Sequence, residues 1–153
     1  MQALELKIPP PVIMLVSAIA MWLLGRWLPQ FSLPSTALAI VGATLALTGV
    51  AITVFGMLRF RRHKTTINPL KPQETAMVVT EGVYGWTRNP MYLGLAVLLA
   101  GWACYLANGI ALLVMPAFIA YITWFQIIPE ERALQRKFGA PFVKYLTQVR
   151  RWL

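Results

Sequence analysis

"NPMYLGLAVLLAGWACYLANGIALLVMPAFIAYITWFQIIP", residues 89–129, is an uncharged run bounded by Arg88 and Glu130. Its 41 residues would make a straight helix of about 62 Å, twice the hydrocarbon thickness of a bilayer. The run must therefore fold back on itself, and Asn108-Gly109 near its middle is the dipeptide suited to the turn. A fold-back returns both ends of the run to one membrane face. Arg88-Asn89-Pro90 and Glu130-Glu131 then become neighbours, although about forty residues separate them in sequence.

Working outward, two further apolar runs read as spans: about 12–28, starting after "PPP" and carrying one charge, Arg26, near its far end, and about 36–58, ended by "RFRRHK". With the two arms of the long run, about 91–107 and 110–128, the expected fold is an all-α integral membrane protein of four transmembrane helices. Spans 3 and 4 form a helical hairpin. The 153 residues are 58% hydrophobic, with a mean hydropathy of +0.62, and they leave no room for a separate soluble domain. Residues 1–153 read as a single membrane domain, with a connection at 59–90 and a tail at 129–153.

Of the 14 basic residues, six lie between 59 and 90 and six between 130 and 153. By the positive-inside rule both segments, and both termini, are expected to be cytoplasmic. The high pI then reflects topology and anionic membrane lipids, and it calls for no nucleic acid. A secretory signal peptide is disfavoured, because the basic n-region is thin and the apolar run continues beyond "SAIA" into "MWLL". The single Cys104 gives no disulfide framework.

Gly42, Gly49 and Gly56 recur at seven-residue spacing, which places them near one face of the second span, as close helix packing would require. The connection 59–90 is long for a segment without evident structure, but its aromatics argue against disorder. "PEERALQRKFG" reads as a short helix with acidic residues at its start and Gly139 at its close. From Pro141, the residues Phe142, Tyr145, Leu146, Val149, Trp152 and Leu153 recur at helical spacing, with Lys144, Gln148 and Arg151 opposite. This pattern predicts a C-terminal amphipathic interfacial helix.

The chemistry gathers where the hairpin closes. Asn89 is a good N-cap and Pro90 a good first helical residue, so the free N–H groups of the third span point to the mouth beside Arg88, where an anion binds. Glu130 and Glu131 across the mouth can accept from an ammonium or a ribose diol, and Tyr84, Trp86 and Tyr92 offer aromatic faces to a cation. A molecule carrying carboxylate, ammonium, ribose and sulfonium satisfies all of these, and S-adenosylmethionine is that molecule. Methyl transfer depends on alignment more than on an acid or base, so neither a catalytic triad nor a metal site is required.

"TEGVYGWTRNPMYLG", then "QIIPEERALQRKFG" and a terminal "YLTQVRRWL", resembles the isoprenylcysteine carboxyl methyltransferase family and its relatives among small membrane phospholipid methyltransferases. The resemblance covers roughly residues 59–153, and "TTINP" fits the prokaryotic members, hence an inner (cytoplasmic) membrane. It implies cofactor binding by Gly82, Tyr84, Arg88, Asn89, Pro90, Tyr92, Glu130 and Glu131, with Arg88 and Glu131 as the expected catalytic pair. The lipophilic acceptor would come from the bilayer, with Thr66, Asn68 and Trp86 as its candidate contacts. Asn89 stands where the isoprenylcysteine enzymes usually show histidine, which is closer to the Asn-Pro-Met-Tyr of the phospholipid branch.

Plainer readings stand beside these. Arg88 can mark the membrane boundary, the glutamates can simply begin a helix, Tyr92 and Trp86 can be interfacial aromatics, and Thr65, Thr66 and Asn68 can cap a short element. His63, among basic residues, has no assigned role. A small multidrug-type transporter needs an ionisable group at membrane depth, and the spans hold no Asp, Glu, Lys or His. A purely structural membrane protein leaves the RNP–EE pairing unexplained. A reductase related to the sterol reductases shares a similar C-terminal region but needs more pocket for its dinucleotide.

Overall fold

The computed structural model describes residues 5–27, 35–63, 66, 68 and 70–153. The regular structure among them is helical: α1 (Pro10–Trp27), α2 (Ser35–Arg62), α3 (Pro90–Tyr105), α4 (Val114–Ile122), α5 (Ile128–Phe138) and α6 (Ala140–Gln148). Short 3-10 turns lie at Pro72–Glu74, Gly82–Gly85 and Gly109–Leu113, and Thr123–Ile127 is π-helical. Thr65 and the expected turn near residue 30 fall outside the described residues.

Among the described residues, three helical runs are long and apolar enough to cross a membrane: α1, Thr36–Arg62 of α2, and Gly109–Phe138, which joins α4 to α5. The expected span 91–107 is shorter. α3 has 16 residues, about 24 Å of helix. It stops because Ala107 turns to a φ of 50° and Asn108 begins the next turn, its side chain accepting the N–H of Ile110 at 2.9 Å. The fold-back thus comes at Asn108-Gly109.

Two boundaries differ from the sequence reading. α2 continues past Leu58, so Arg59, Arg61 and Arg62 occupy its last turn, where cations favour the negative end of the helix dipole. The fourth helix does not end at residue 128. It runs on as α5, and "PEERALQRKFG" is its extension. A proline in a helix interior removes an N–H and crowds the carbonyl four residues back. Here the helix widens ahead of Pro129: the N–H of Ile128 reaches back five residues to Thr123, and the Phe125 carbonyl accepts from Leu6 N–H at 3.0 Å.

α2 and α3 run antiparallel along a glycine seam. A Cβ on Gly42 would lie 2.7 Å from the carbonyl of Gly101, and one on Gly49 would lie 2.5 Å from that of Gly94. Only glycine allows backbones so close, which accounts for the seven-residue spacing. α3 packs far more lightly on α1 and on α4, so its main partner is α2 and not the sequence-adjacent arm of the hairpin. Met21, Leu99, Phe118, Ile122 and Ile127 are fully buried where α1, α3 and the fourth run meet, while Leu15, Leu47, Phe55 and Leu113 face outward.

Gly139, with a φ of 60°, closes α5 and starts α6. The expected amphipathic helix is shorter than its stripe. It ends at Gln148, and Val149 is already extended. Phe142 and Tyr145, two residues of the apolar stripe, pack inward on the protein, at 3% and 6% exposure. The chain beyond it runs back across residues 87–89.

Candidate active site

The start of α3 and the C-terminal tail are held together by one arginine. Arg88 Nη1 donates to the carbonyls of Leu146 (2.7 Å) and Val149 (2.8 Å), filling acceptors that the end of α6 leaves open. Its backbone N–H donates to Arg150 O at 2.9 Å, Thr87 Oγ1 to Arg151 O at 3.3 Å, and Asn89 Nδ2 to the same carbonyl at 2.9 Å. Asn89 occupies the N-cap position, but its side chain caps nothing. It is committed to the tail, which competes for the same amide.

Glu131 completes the clamp from α5. Its Oε1 lies 2.9 Å from Arg88 Nη2 and its Oε2 2.6 Å from Arg151 Nη2, with Arg151 Nε a further 3.2 Å from Oε1. The Arg88 and Glu131 side chains are only 12% and 14% exposed. A carboxylate between two guanidinium forks has its lone pairs filled by charge-assisted bonds. Arg88 and Glu131 are therefore bonded to each other, and do not stand at opposite ends of an open mouth.

Glu130, the adjacent residue, is placed differently. Tyr92 donates to its Oε2 at 3.0 Å, and no cation pairs with it among the described residues. Tyr84 is buried beside Phe60, with ring centroids 5.3 Å apart, and its carbonyl accepts from the Tyr145 hydroxyl at 2.7 Å. Burial pushes the Tyr84 hydroxyl well above its usual value, so it stays protonated and able to donate.

These groups surround a cavity of about 320 Å³, within the range of small-molecule sites. Of the predicted site residues, Thr66, Asn68, Tyr84, Arg88, Asn89, Tyr92, Glu130 and Glu131 line it. Gly82, Pro90 and Trp86 do not. Gly82, at a φ of 63°, lets the backbone pass over Arg59, whose Nε would be 2.8 Å from an added Cβ. Pro90 is buried at the start of α3, and Trp86 is 81% exposed, away from the cavity. Thr66 and Asn68 also form a local turn, Thr66 Oγ1 accepting from Asn68 N–H at 3.1 Å and Asn68 Oδ1 from Leu70 N–H at 3.0 Å.

Sequence reasoning missed part of the wall. Phe142 and Tyr145, an apolar stripe expected at the membrane surface, line the cavity, and Arg151, expected on the polar face opposite, pairs with Glu131 behind it. Pro9–Pro11, read as a helix start, also line the cavity, together with Met57, Met91 and Leu95 from the facing sides of α2 and α3. Two buried donors, Tyr84 OH and Arg88 Nε, have no partner among the described residues. Such groups are costly unless a ligand or solvent satisfies them.

Long apolar helices with a buried charge cluster and a cavity at one end define an integral membrane protein. The chain belongs to the phospholipid methyltransferase family, whose sequence profile (Phospholipid methyltransferase) matches residues 37–141. It is 28% identical over 109 residues to protein-S-isoprenylcysteine O-methyltransferase B of Arabidopsis thaliana, covering 71% of this chain and 55% of the plant protein. The chain thus spans about half the length of that relative. An uncharacterized protein of Haemophilus influenzae is 44% identical over 63 residues, 41% of this chain and all of the relative. No solved structure matches the chain.

Proposed function

We propose that the protein is an S-adenosylmethionine-dependent methyltransferase for a lipophilic acceptor, with its cofactor in the cavity between α3, α5 and α6. The observation that carries this reading is the single cavity wall on which Glu130, the two orphaned donors and the aromatic rings of Tyr84 and Tyr92 meet. The donor set fits the cofactor. Glu130 suits an ammonium or sulfonium, and Tyr84 OH and Arg88 Nε can donate to a carboxylate or ribose oxygen. When bound, the cofactor supplies a methyl group on a cationic sulfur. The protein's part is to bind, orient and exclude water.

Arg88 and Glu131 act mainly as positioning residues, fixing α3, α5 and the tail around the cavity, while Glu130 and Tyr84 meet the ligand. Met57, Met91 and Leu95 give the cavity an apolar side suited to an isoprenylcysteine-type carboxylate, a long-chain thiol or a lipid amine. In this reading residues 1–153 form one membrane domain in an inner (cytoplasmic) membrane. α3 is the third of four spans and both termini are cytoplasmic, with the basic ends of α2 and α5 on that side.

Calorimetry with S-adenosylhomocysteine and transfer of labelled methyl from S-adenosylmethionine into lipid-extractable product test the activity. Binding of NADPH with no binding of S-adenosylhomocysteine would overturn it in favour of a reductase. Cysteine labelling at residues 30 and 108 tests the topology, since both should react from outside.

A further inference from the structure

The structure joins the N-terminal "PPP" segment to the π-helical turn at Thr123–Ile127. Because Pro129 supplies no N–H to Phe125, the Phe125 carbonyl takes the N–H of Leu6 at 3.0 Å. On the next residue, Gln126 Nε2 donates to the carbonyl of Ile8 at 2.7 Å. Gln126 is fully buried, and its Oε1 has no partner among the described residues. An amide buried in an apolar helix with half of its capacity unused needs a reason to be there. An outer contact, Arg132 to Glu5 at 3.0 Å, extends the attachment along α5.

The attached segment is immediately followed by Pro9, Pro10 and Pro11, all on the cavity wall, with Pro10 fully buried. Leu6 holds a φ of 54°, a backbone state that a non-glycine residue keeps only when its surroundings enforce it. We infer that Gln126 is a positioning residue which, through its bond to Ile8, sets the Pro9–Pro11 wall and so controls closure of the cavity. The identity of the ligand rests on the reading above, whereas the closure does not. Pinning two residues of the strap, through Leu6 and Ile8, fixes its direction into α1, which a single contact would leave free to pivot.

The test uses the full chain in detergent, on a Cys104→Ser background, with the Met91→Cys thiol as a reporter within the cavity. Gln126→Leu keeps the side chain's bulk, removes the donor and suits an apolar helix, so the protein should fold. Alkylation of the reporter by a water-soluble maleimide should accelerate about tenfold, while the same reporter in Arg132→Ala, which loosens only the exposed outer contact, should change about twofold. S-adenosylhomocysteine should dissociate about tenfold faster from Gln126→Leu, with its association rate little changed. An unchanged alkylation rate in folded Gln126→Leu overturns the inference. If wild type binds no S-adenosylhomocysteine, the cofactor reading fails, and the alkylation rates still decide the role of Gln126.

Discussion

Glu131 Oε1 lies 2.9 Å from Arg88 Nη2, and the Arg88 guanidinium also holds the carbonyls of Leu146 and Val149. The second residue before α3, the second acidic residue of α5 and the end of α6 are thus one unit. Loss of Arg88 reaches all three elements at once.

Arg88→Ala should therefore destabilise the protein as well as weaken ligand binding. It leaves Glu131 half-paired and two tail carbonyls without their donor, and breaking a buried ion pair costs about 3–5 kcal/mol. Thermal unfolding in detergent should show a marked fall in midpoint, and limited proteolysis should release the tail after residue 146. An unaltered melting curve would mean that the clamp does not hold the tail.

Arg151→Ala should be much milder. Its side chain is 35% exposed, and pairs open to solvent contribute about 0–1 kcal/mol. A double-mutant cycle between Arg88 and Arg151 should show coupling through Glu131, because either arginine alone can keep that carboxylate charged. Strict additivity would indicate independent partners.

Glu130→Gln keeps the shape of the side chain and its contact with Tyr92 while removing the carboxylate that a cation needs. Affinity for S-adenosylmethionine should fall about tenfold relative to S-adenosylhomocysteine, which lacks the sulfonium charge. Equal losses for the two ligands in calorimetry would place the sulfonium elsewhere.

Tyr84→Phe separates binding from folding. It removes a buried hydroxyl that has no partner among the described residues, so the ligand-free protein should be as stable as wild type or slightly more so. Ligand affinity should fall about fivefold to tenfold, the loss of one hydrogen bond of about 1–1.5 kcal/mol. Isothermal titration beside a melting curve gives both readings from one preparation.

The glycine seam should be graded by what each new Cβ meets. Gly94→Ala drives a methyl into Thr53 Oγ1 and the Gly49 carbonyl, with backbone that cannot yield, and should cost at least about 1–3 kcal/mol. Gly56→Ala meets the flexible end of Met91 at 3.0 Å and should be tolerated far better. Equal yields of folded Gly94→Ala and Gly56→Ala from membranes would contradict the seam.

The helical class, the fold-back at Asn108-Gly109 and the meeting of Arg88 with Glu130-Glu131 were legible because they follow from lengths and charges along the chain. Hydrocarbon thickness limits how far an uncharged run can extend, and the positions of ionisable residue types are fixed by the sequence itself. The glycine spacing likewise announced a close packing face, since absence of a side chain is a property of the sequence. Which helix filled that face was not legible: the seam on α3 has only Gly94 and Gly101, and their pairing with α2 depends on relative register.

The tertiary structure alone separated two adjacent glutamates into a clamp residue and a cavity residue. Helical geometry turns neighbours by about 100°, and only the position of Arg88, Arg151 and Tyr92 decides which direction meets cations and which meets a phenol. The same holds for Asn89, diverted from capping by a carbonyl of the tail, and for Phe142 and Tyr145, whose stripe would suit a membrane surface equally well. Hydrophobic periodicity specifies that a face is buried, and burial is non-directional, so it cannot say against what. Backbone carbonyls carry no sequence signature either. The bonds that Arg88, Asn89 and Gln126 make to them became visible only once the chain had brought distant segments together.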